Sequence, residues 1–343
     1  MTKLSIQLIQ TKENWERFIQ TKPEANFLQS YNWGVLQQKL GKKSFPIGIF
    51  KHRQLIGAAL VIKEEAKRGD YLTVAAGPLL DWEADQLEST FYFFVSELKK
   101  LAVQEKCHFV RIRPQVIASQ RIINLFKKQG LKPAPMHLTA DLTLQLDLSL
   151  SDDELLQQMR KNTRYSIRKA QKNGIVTRVV TDHKFIDTFQ KYQLYLAEKH
   201  QFVPFTKEFL QKQYQTFLAD DQVAFVNSYL SGELLASAFV IFYNQRAVYH
   251  YGVSTPKNER LPGSYATQWA AMAEAKRRGC QIYNLWGIAP ENKPQHRFAG
   301  VSIFKRGFGG EEVPYLPAYD LPITGYYWFE RGFELIRKKL RHL

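Results

Sequence analysis

A row of cations lies in the segment SDDELLQQMRKNTRYSIRKAQKNG, residues 151–174. Ser151 and Glu154 have the spacing of a capping box and Gly174 is a typical stop, so the segment is predicted to form one helix. No acidic residue occurs between Leu155 and Thr181. Because like charges four residues apart destabilise a helix, an unbalanced row favours a phosphate-bearing ligand, which arginine binds bidentately. The predicted phosphate-binding residues are Arg160, Lys161, Arg164, Arg168, Lys169 and Lys172. A basic surface helix that only maintains solubility is the alternative.

A second basic helix is predicted at the C-terminus. Its apolar stripe comprises Phe329, Phe333, Ile336, Leu340 and Leu343, opposed by Arg331, Arg337, Lys338, Lys339 and Arg341. Such a helix can lie on an anionic membrane, but amphipathic surface helices more often pack on their own domain.

The composition agrees with a polyanionic partner. The 343 residues include 48 Lys and Arg against 32 Asp and Glu, a net charge of +16, which favours nucleic acid or an anionic membrane surface. The two cysteines, Cys107 and Cys280, cannot form a disulfide framework or a four-ligand zinc site and are expected to be buried thiols. No signal peptide or membrane span is recognisable, so we expect a cytoplasmic protein.

Familiar catalytic motifs are missing. The sequence contains no P-loop, GxGxxG, HExxH, CxxC or GxSxG, which removes support for nucleotide hydrolysis, zinc proteolysis and hydrolase nucleophiles. The segment Arg260-Leu261-Pro262-Gly263 stands where an acyl-CoA pyrophosphate loop would precede a helix, but it lacks a second small residue for close backbone approach. His250, a single histidine on a predicted strand, is interpreted as structural.

The elements that must position these residues occur twice. In the first half, strands are predicted at 45–50, 54–62, 71–76 and 108–113, with helices at 90–104 and 122–129. About 175 residues later, strands at 223–230, 234–242 and 247–254 precede a helix at 264–278 and a strand at 281–286. The predicted class is α/β (α+β), with two copies of a mixed sheet flanked by helices, the plan of GNAT-type acyltransferases.

Several segments jointly resemble the FemABX family of aminoacyltransferases, which build the interpeptide bridges of peptidoglycan. The matches are RKNTRYSIRKAQKNGI, FLQSYNWG, AAGPLLD, VRIRPQ, Asn258…Pro262…Trp269, YNLWGI and FKRGFGG followed by YD, in family order over nearly the whole chain. The resemblance implies two tandem GNAT-like domains, 1–147 plus 318–343 and 148–317. Only about 45 residues separate the basic helix from Val223, so the chain is similar to compact members without a coiled-coil arm.

The resemblance also implies a reaction and its residues. Family members transfer an aminoacyl group from aminoacyl-tRNA to an amine of a nucleotide-linked or lipid-linked muropeptide, with no cofactor and no metal. By this resemblance Lys305 stabilises the oxyanion, the basic helix binds tRNA, and the substrate contacts are Trp33, Arg113, Tyr249, Tyr251 and Phe304. The i,i+2 spacing of Tyr249 and Tyr251 predicts that both rings share one strand face.

Two departures from compact members concern the acceptor. An acidic residue of the family's Arg-x-Asp-Pro element is replaced by Arg113 here, and Val35 stands where a basic residue follows the early Trp33. Arg113 is expected to contact a diphosphate instead.

Two other functions remain open: an acyl-CoA-dependent N-acyltransferase of the same double fold and a non-catalytic RNA-binding protein. The sequence leaves open the transferred amino acid, the attacking amine, a peripheral contact with the inner face of the membrane, and the oligomeric state.

Overall fold

The two predicted copies correspond to two separate sheets, each with its own helices. The computed structural model describes residues 3–340, so Arg341 and Leu343 of the predicted C-terminal stripe lie outside the described residues. Within that range the chain divides into one unit of residues 3–142, 294–297 and 314–340 and a second unit of residues 143–293 and 298–313.

The first unit is built on a seven-stranded sheet in the order β1-β2-β3-β4-β5-β14-β6. Its strands are β1 (Leu4–Leu8), β2 (Ser44–Lys51), β3 (Gln54–Glu64), β4 (Tyr71–Ala76), β5 (Phe109–Pro114), β6 (Lys132–Pro133) and β14 (Tyr319–Pro322). Its helices are α1 (Lys12–Ile19), α2 (Tyr31–Lys39), α3 (Leu87–Gln104), α4 (Gln120–Lys128) and α11 (Tyr327–Leu340). Neighbouring strands are antiparallel except β4 and β5, which are parallel because α3 returns the chain between them.

The second unit repeats this plan with the order β13-β7-β12-β11-β10-β9-β8. Its strands are β7 (Leu142–Asp147), β8 (Val176–Val180), β9 (Val223–Leu230), β10 (Glu233–Tyr243), β11 (Arg246–Ser254), β12 (Ile282–Gly287) and β13 (Glu311–Pro314). Its helices are α5 (Asp152–Gln158), α6 (Lys161–Lys172), α7 (Phe185–His200), α8 (Lys207–Leu218), α9 (Gly263–Arg277) and α10 (Ala299–Arg306). Here β11 and β12 form the parallel pair and α9 connects them.

Apolar faces on the predicted helices account for the two cores. In the first unit, Phe91, Phe94 and Leu98 lie on one face of α3 and are buried against the sheet. In the second unit, Phe189 of α7 and Tyr214 of α8 pack against the central strands, with Tyr214 stacked 4.7 Å from Phe225. The two cysteines are buried and free, as expected from the sequence.

Residues of the early motifs connect strands within the first sheet. The buried Gln29 side chain accepts a hydrogen bond from the Leu60 N–H at 2.8 Å and donates to the Ala75 carbonyl at 2.6 Å. A Cβ at Gly77 would approach that side chain to 2.8 Å, so only glycine fits there without displacing it. The FLQSYNWG and AAGPLLD segments therefore support one another structurally.

The basic segment differs from its prediction in one respect. Residues 151–174 form two helices, α5 and α6, because Met159 and Arg160 are extended, with ψ of 151° and 146°. The predicted capping box of Ser151 and Glu154 is present at the start of α5. The predicted domain boundaries, 147/148 and 317/318, fall a few residues after the divisions found here, since β7 pairs with β12 in the second sheet.

Candidate active site and phosphate-binding surface

Lys305 lies on α10, which is held to the preceding loop by a buried serine. Ser302, three residues earlier on the same helical face, accepts a hydrogen bond from the Ala289 N–H at 2.8 Å and donates to the Phe298 carbonyl at 2.7 Å. This contact fixes α10 relative to the chain that leaves β12.

The end of β12 presents a carbonyl to that lysine. The Asn284 side chain accepts the N–H of Trp286 at 2.7 Å, and Trp286 adopts the left-handed conformation, with φ of 64°. The register with β7 shifts between Asn284 and Gly287, so the strand bends away from regular pairing. The Lys305 Nζ donates to the Gly287 carbonyl at 2.8 Å. The YNLWGI segment thus positions an acceptor for the lysine.

The environment of Lys305 is poor in charge. The residue is 8% exposed, and within residues 3–340 no carboxylate forms an ion pair with it. Its Nζ lies 5.9 Å from the centre of the Tyr249 ring. Burial lowers the pKa of Lys305 to about 8, so the side chain is still mainly an ammonium at neutral pH. An ammonium held this way has N–H groups left to donate to a developing oxyanion.

The two tyrosines of β11 do not share a face, and that prediction is wrong. Tyr249 pairs with Val240 while Tyr251 pairs with Phe239, because a bulge at this point adds one residue to β11. Since Val240 and Phe239 are successive residues of β10, their partners point to opposite faces. Tyr251 packs with His250 against the aromatic core of α7 and α8, and only Tyr249 lies on the face of Lys305.

The Tyr249 ring covers a glycine of its own strand. A Cβ at Gly252 would lie 1.7 Å from the Tyr249 hydroxyl oxygen, so any side chain there must displace the ring. Burial raises the pKa of Tyr249 to about 12, which keeps it neutral, a hydrogen-bond donor and acceptor at physiological pH. Gly252 therefore leaves the space that Tyr249 occupies beside Lys305.

The start of the basic helix α6 is tied to α10. The Arg160 N–H donates to the Gly307 carbonyl at 2.9 Å, two residues after Lys305. A Cβ at Gly307 would approach the Thr163 hydroxyl to 2.5 Å, so this contact requires glycine. The RKNTRYS and FKRGFGG segments therefore meet within the second unit.

Arg164 caps a helix rather than presenting its guanidinium to solvent. Its Nη1 donates to the Met159 carbonyl and lies 3.3 Å from the Gln157 carbonyl, at the C-terminal end of α5. A cation there balances the negative end of the helix dipole and satisfies carbonyls that have no helical partner. The structure thus gives Arg164 a role in holding the break between α5 and α6, and its predicted phosphate contact is not supported.

The remaining cations of the row are exposed, and within residues 3–340 none of them forms an ion pair with a carboxylate. These residues are Arg160, Lys161, Arg168, Lys169 and Lys172; we call them the α6 cations. Tyr165, 63% exposed, lies among them with the Lys169 Nζ 5.9 Å from its ring centre. Beside α6 runs a groove of about 400 Å³ that includes Ile167 and Trp269. Cations interspersed with accessible aromatic rings are typical of surfaces that bind single-stranded nucleic acid.

The N-terminus of α9 is closed by a side chain from the preceding turn. Asn258 accepts the Ser264 N–H at 2.9 Å through Oδ1, and its Nδ2 donates to the Ser264 hydroxyl at 2.9 Å. A Cβ at Gly263 would meet Leu235 at 2.5 Å, which shows how tightly this turn is packed. A pyrophosphate would have to displace Asn258 to reach the free N–H groups, which disfavours CoA in the second unit.

Arg113 lies inside the first unit and is 1% exposed. It donates to Gln115 and to the Ala140 carbonyl, and its Nε is 3.9 Å from Asp141 Oδ1. Burial lowers the pKa of Arg113 to about 10. The predicted diphosphate contact is not supported, because the guanidinium is almost completely buried and bonded within the first unit. The sequence did not reveal Asp141, an acid from a later loop that accompanies this arginine and also pairs with His137.

The other predicted substrate residues are half-buried. Trp33 lies on α2 with its ring 5.5 Å from Phe27 in an edge-on arrangement. Phe304 precedes Lys305 on α10, with its ring centre 5.1 Å from Tyr265. The structure brings Lys305 and Tyr249 together in the second unit, with Phe304 on the same helix packed against Tyr265, and the substrate roles of Trp33, Tyr249 and Phe304 remain predictions.

Comparison with known proteins bears on what this arrangement does. A model described as the FemAB family matches residues 10–233 and 231–334. The chain belongs to the FemAB family. Aminoacyltransferase FemA of Staphylococcus aureus strain MRSA252 is 21% identical over 399 aligned residues, covering 92% of this chain and 94% of that one. The crystal structure of FemX superposes with a TM-score of 0.84 at 15% identity, covering 96% of this chain and all of that one. A tandem GNAT protein from the clavulanic acid pathway superposes with a TM-score of 0.60 at 11% identity, over 94% and 99% of the two chains.

Membership confirms the predicted family, fold and enzyme class: this FemAB-family chain is an aminoacyltransferase with two GNAT-like sheets. The prediction of a compact member also agrees with the structure. Between α6 and β9 lie α7 and α8, of 16 and 12 residues, which pack on the second sheet instead of extending as an arm. No role was predicted from the sequence for Tyr165 or Gly252. Two signals could have indicated them: Tyr165 is spaced four residues from Lys169 on the basic helix, and Gly252 directly follows the YHY segment.

Proposed function

We propose that this enzyme transfers an aminoacyl group from aminoacyl-tRNA to an amine of the stem peptide of a peptidoglycan precursor, forming part of an interpeptide bridge. The observation that carries the proposal is the buried ammonium of Lys305, which has no carboxylate partner within residues 3–340 and is held by the Gly287 carbonyl. A buried cation without a counterion destabilises the folded protein, so its presence indicates a role in function. An ester carbonyl that becomes an oxyanion would supply the negative charge that this cation lacks.

The chemistry needs no protein nucleophile. The amine nitrogen of the acceptor attacks the ester carbonyl of the charged tRNA, and the carbonyl π electrons move to oxygen. The Lys305 ammonium donates to that oxyanion. When the intermediate collapses, the bond to the ribose oxygen breaks, an amide remains, and the proton lost by the amine balances the one gained by the ribose hydroxyl. Positioning the two substrates supplies much of the rate.

The donor is supported by the α6 cations. Each exposed Arg or Lys that neutralises a phosphate releases counterions, which gives binding a strong dependence on salt. Tyr165, which is exposed, and Trp269, which lines the groove, would stack on unpaired bases such as those at the acceptor end of a tRNA. The α6 cations alone would also suit a non-catalytic RNA-binding protein, but such a protein would not require Lys305.

The acceptor is a muropeptide linked either to a nucleotide or to a lipid, and the reaction belongs in the cytoplasm, where charged tRNA is made. Among residues 3–340 no helix has the length and apolarity needed to cross a bilayer.

Turnover tests the proposal directly. The protein is incubated with a pool of charged tRNAs and either nucleotide-linked or lipid-linked muropeptide, and the product mass is measured. A gain of one amino-acid residue that requires charged tRNA is expected. Uncharged tRNA and acetyl-CoA serve as controls: acetyl transfer from acetyl-CoA would favour the N-acyltransferase, and tRNA binding without product would favour the RNA-binding protein.

Salt dependence tests the tRNA surface. Replacing Arg168 and Lys172 with glutamine removes two α6 cations, and we expect the slope of log affinity against log salt to fall by about 1.5. The matched control replaces Lys99 and Lys127, two exposed lysines of the first unit, with the same change in net charge. Equal slopes for the two double variants would show that α6 does not contact phosphate.

A further inference from the structure

Helix α11 packs on the first unit through its polar side. Tyr327 and Glu330 are buried, and Glu334 receives two hydrogen bonds from Arg111, at 3.1 and 2.6 Å. Arg111 in turn pairs with the buried Asp320 at 2.7 Å. The inward face of α11 is thus part of a buried ionic network, the opposite of an ordinary surface helix, which turns its apolar side inward.

The apolar side of α11 faces outward. Phe329, Phe333, Ile336 and Leu340 recur at intervals of four, three and four residues and so form one stripe. Phe329 is 61% exposed, Ile336 62% and Leu340 76%. Scattered exposed apolar residues are common, but a continuous stripe of large ones marks a surface that contacts something else. Trp328 and Leu335 flank the stripe and are exposed too.

The charges around this stripe all have one sign. The acids of α11, Glu330 and Glu334, lie on its inward side. The last turns carry Arg337 and Lys339 on the two borders of the stripe, and Lys338 on the inward side, four residues after Glu334. Among the described residues none of these three forms an ion pair with a carboxylate. On the other side Arg68 stacks on the Phe333 ring, 3.4 Å from its centre. We call the stripe together with Arg68, Arg337 and Lys339 the α11 outer face.

We propose that the α11 outer face docks on an anionic phospholipid bilayer. Aromatic and aliphatic side chains that point outward, bordered by Arg and Lys, suit the boundary between acyl chains and headgroups. A second copy of the chain fits less well, because a twofold contact would bring two sets of cations together in a protein of net charge +16. Each cation near an anionic surface adds about 1 kcal/mol of attraction.

Docking would bring the enzyme to lipid-linked substrate, which rests on the proposed function, whereas binding to lipid does not depend on it. Binding is measured by cosedimentation of the full chain with vesicles of pure phosphatidylcholine or of phosphatidylcholine with about 30% phosphatidylglycerol. We expect binding to the anionic vesicles that weakens as salt is added, and little binding to the neutral ones.

Two variants divide the contributions. Replacing Arg337 and Lys339 with glutamine should weaken binding to anionic vesicles about 30-fold. Replacing Phe329 and Ile336 with serine should weaken it about tenfold or more, with the same thermal midpoint because both side chains are exposed. The control replaces Tyr92 and Val103, exposed apolar residues of α3, with serine and should bind like the parent.

Several results would overturn the proposal. They are no binding of the parent protein to anionic vesicles at low salt, an equal loss in the α3 control, or a dimer of the parent that the Phe329 and Ile336 substitutions dissociate. Turnover with a nucleotide-linked acceptor should be unchanged in the variants. If vesicle binding fails while this turnover persists, the docking inference falls and the proposed function stands.

Discussion

Replacing Lys305 with methionine separates the effect of this lysine on turnover from its effect on the free energy of unfolding. Methionine has a similar length, no charge and enough flexibility to fill the same space. If the ammonium stabilises an oxyanion, its loss should lower kcat by about 10²–10³, the usual effect of removing one such donor, with little change in KM.

The same substitution should stabilise the protein. Burial lowers the pKa of Lys305 from 10.5 to about 8, and each pKa unit corresponds to about 1.4 kcal/mol. The buried ammonium therefore costs about 3 kcal/mol at neutral pH, offset by about 1 kcal/mol for its hydrogen bond to Gly287. We expect Lys305→Met to be more stable by about 2 kcal/mol near pH 7. The folded pKa is the lower one, so this cost is complete below about pH 8 and disappears as pH rises toward 10.5.

The assay measures the ratio of the parent kcat to the Lys305→Met kcat at a series of pH values. Titration of the acceptor amine affects both proteins equally and cancels in this ratio. With a pKa of about 8, the ammonium fraction falls about tenfold between about pH 7 and pH 9, so the ratio should fall by that factor. Scanning calorimetry over the same range should show the stability difference shrinking.

A rising ratio would mean that the neutral amine of Lys305 acts as a base, and a flat ratio would mean that its charge is not used; either result refutes the oxyanion role. Lys63→Met is the matched control, since Lys63 is also buried but forms an ion pair with Asp70 at 3.0 Å. That pairing raises the pKa of Lys63. Its removal should destabilise the protein and leave kcat unchanged.

Two further substitutions test the packing around the site and under α11. Gly252→Ala should lower turnover because the added Cβ displaces the Tyr249 ring. The double variant Gly252→Ala/Tyr249→Ala should then be no slower than Tyr249→Ala alone. Additive losses would show that Gly252 acts elsewhere. Asp320→Ala removes the buried partner of Arg111 and should lower the free energy of unfolding by about 3–5 kcal/mol. The control Glu13→Ala breaks an exposed ion pair and should change it by less than about 1 kcal/mol. Similar losses for the two variants in denaturant unfolding would contradict the burial argument.

Periodic patterns explain why much of the fold was predictable. The strands 71–76 and 223–230 were predicted with the bounds that the structure gives, because each is an apolar run closed by a turn signal. The turn between β9 and β10 has Ser231 and Gly232 in the left-handed conformation, as a tight hairpin requires. Repetition of the same order in both halves then indicated two sheets of one kind.

Local departures from periodicity were not predictable. The bulge in β11 turns Tyr251 to the other face, yet the letters YHYGVS alternate as a regular strand would. The break between α5 and α6 depends on Arg164 reaching back to the Met159 carbonyl, a contact that a helical pattern through 151–174 conceals. In both cases the local pattern continues through a position where the backbone departs from regular structure.

The orientation of α11 could not be read from its sequence for a different reason. An amphipathic pattern specifies two faces but not which one packs inward. Here the buried pair of Arg111 and Asp320 decides, because it offers Glu334 a cationic partner that an apolar face could not satisfy. The YD segment that contributes Asp320 is therefore a cause of the exposed stripe.

The motif residues that carried the family resemblance mostly support backbone. Gln29 joins β3 to β4, Asn284 bends the end of β12, and Asp320 anchors α11, each through hydrogen bonds of a buried side chain. Asn284 shapes the strand end that presents the Gly287 carbonyl to Lys305, whereas Gln29 and Asp320 stabilise the first unit. Recognition of the two substrates has to come from side chains that reach solvent. The α6 cations and the α11 outer face are two such surfaces, and because both carry positive charge, their separate contributions are best resolved by salt dependence on tRNA and on lipid.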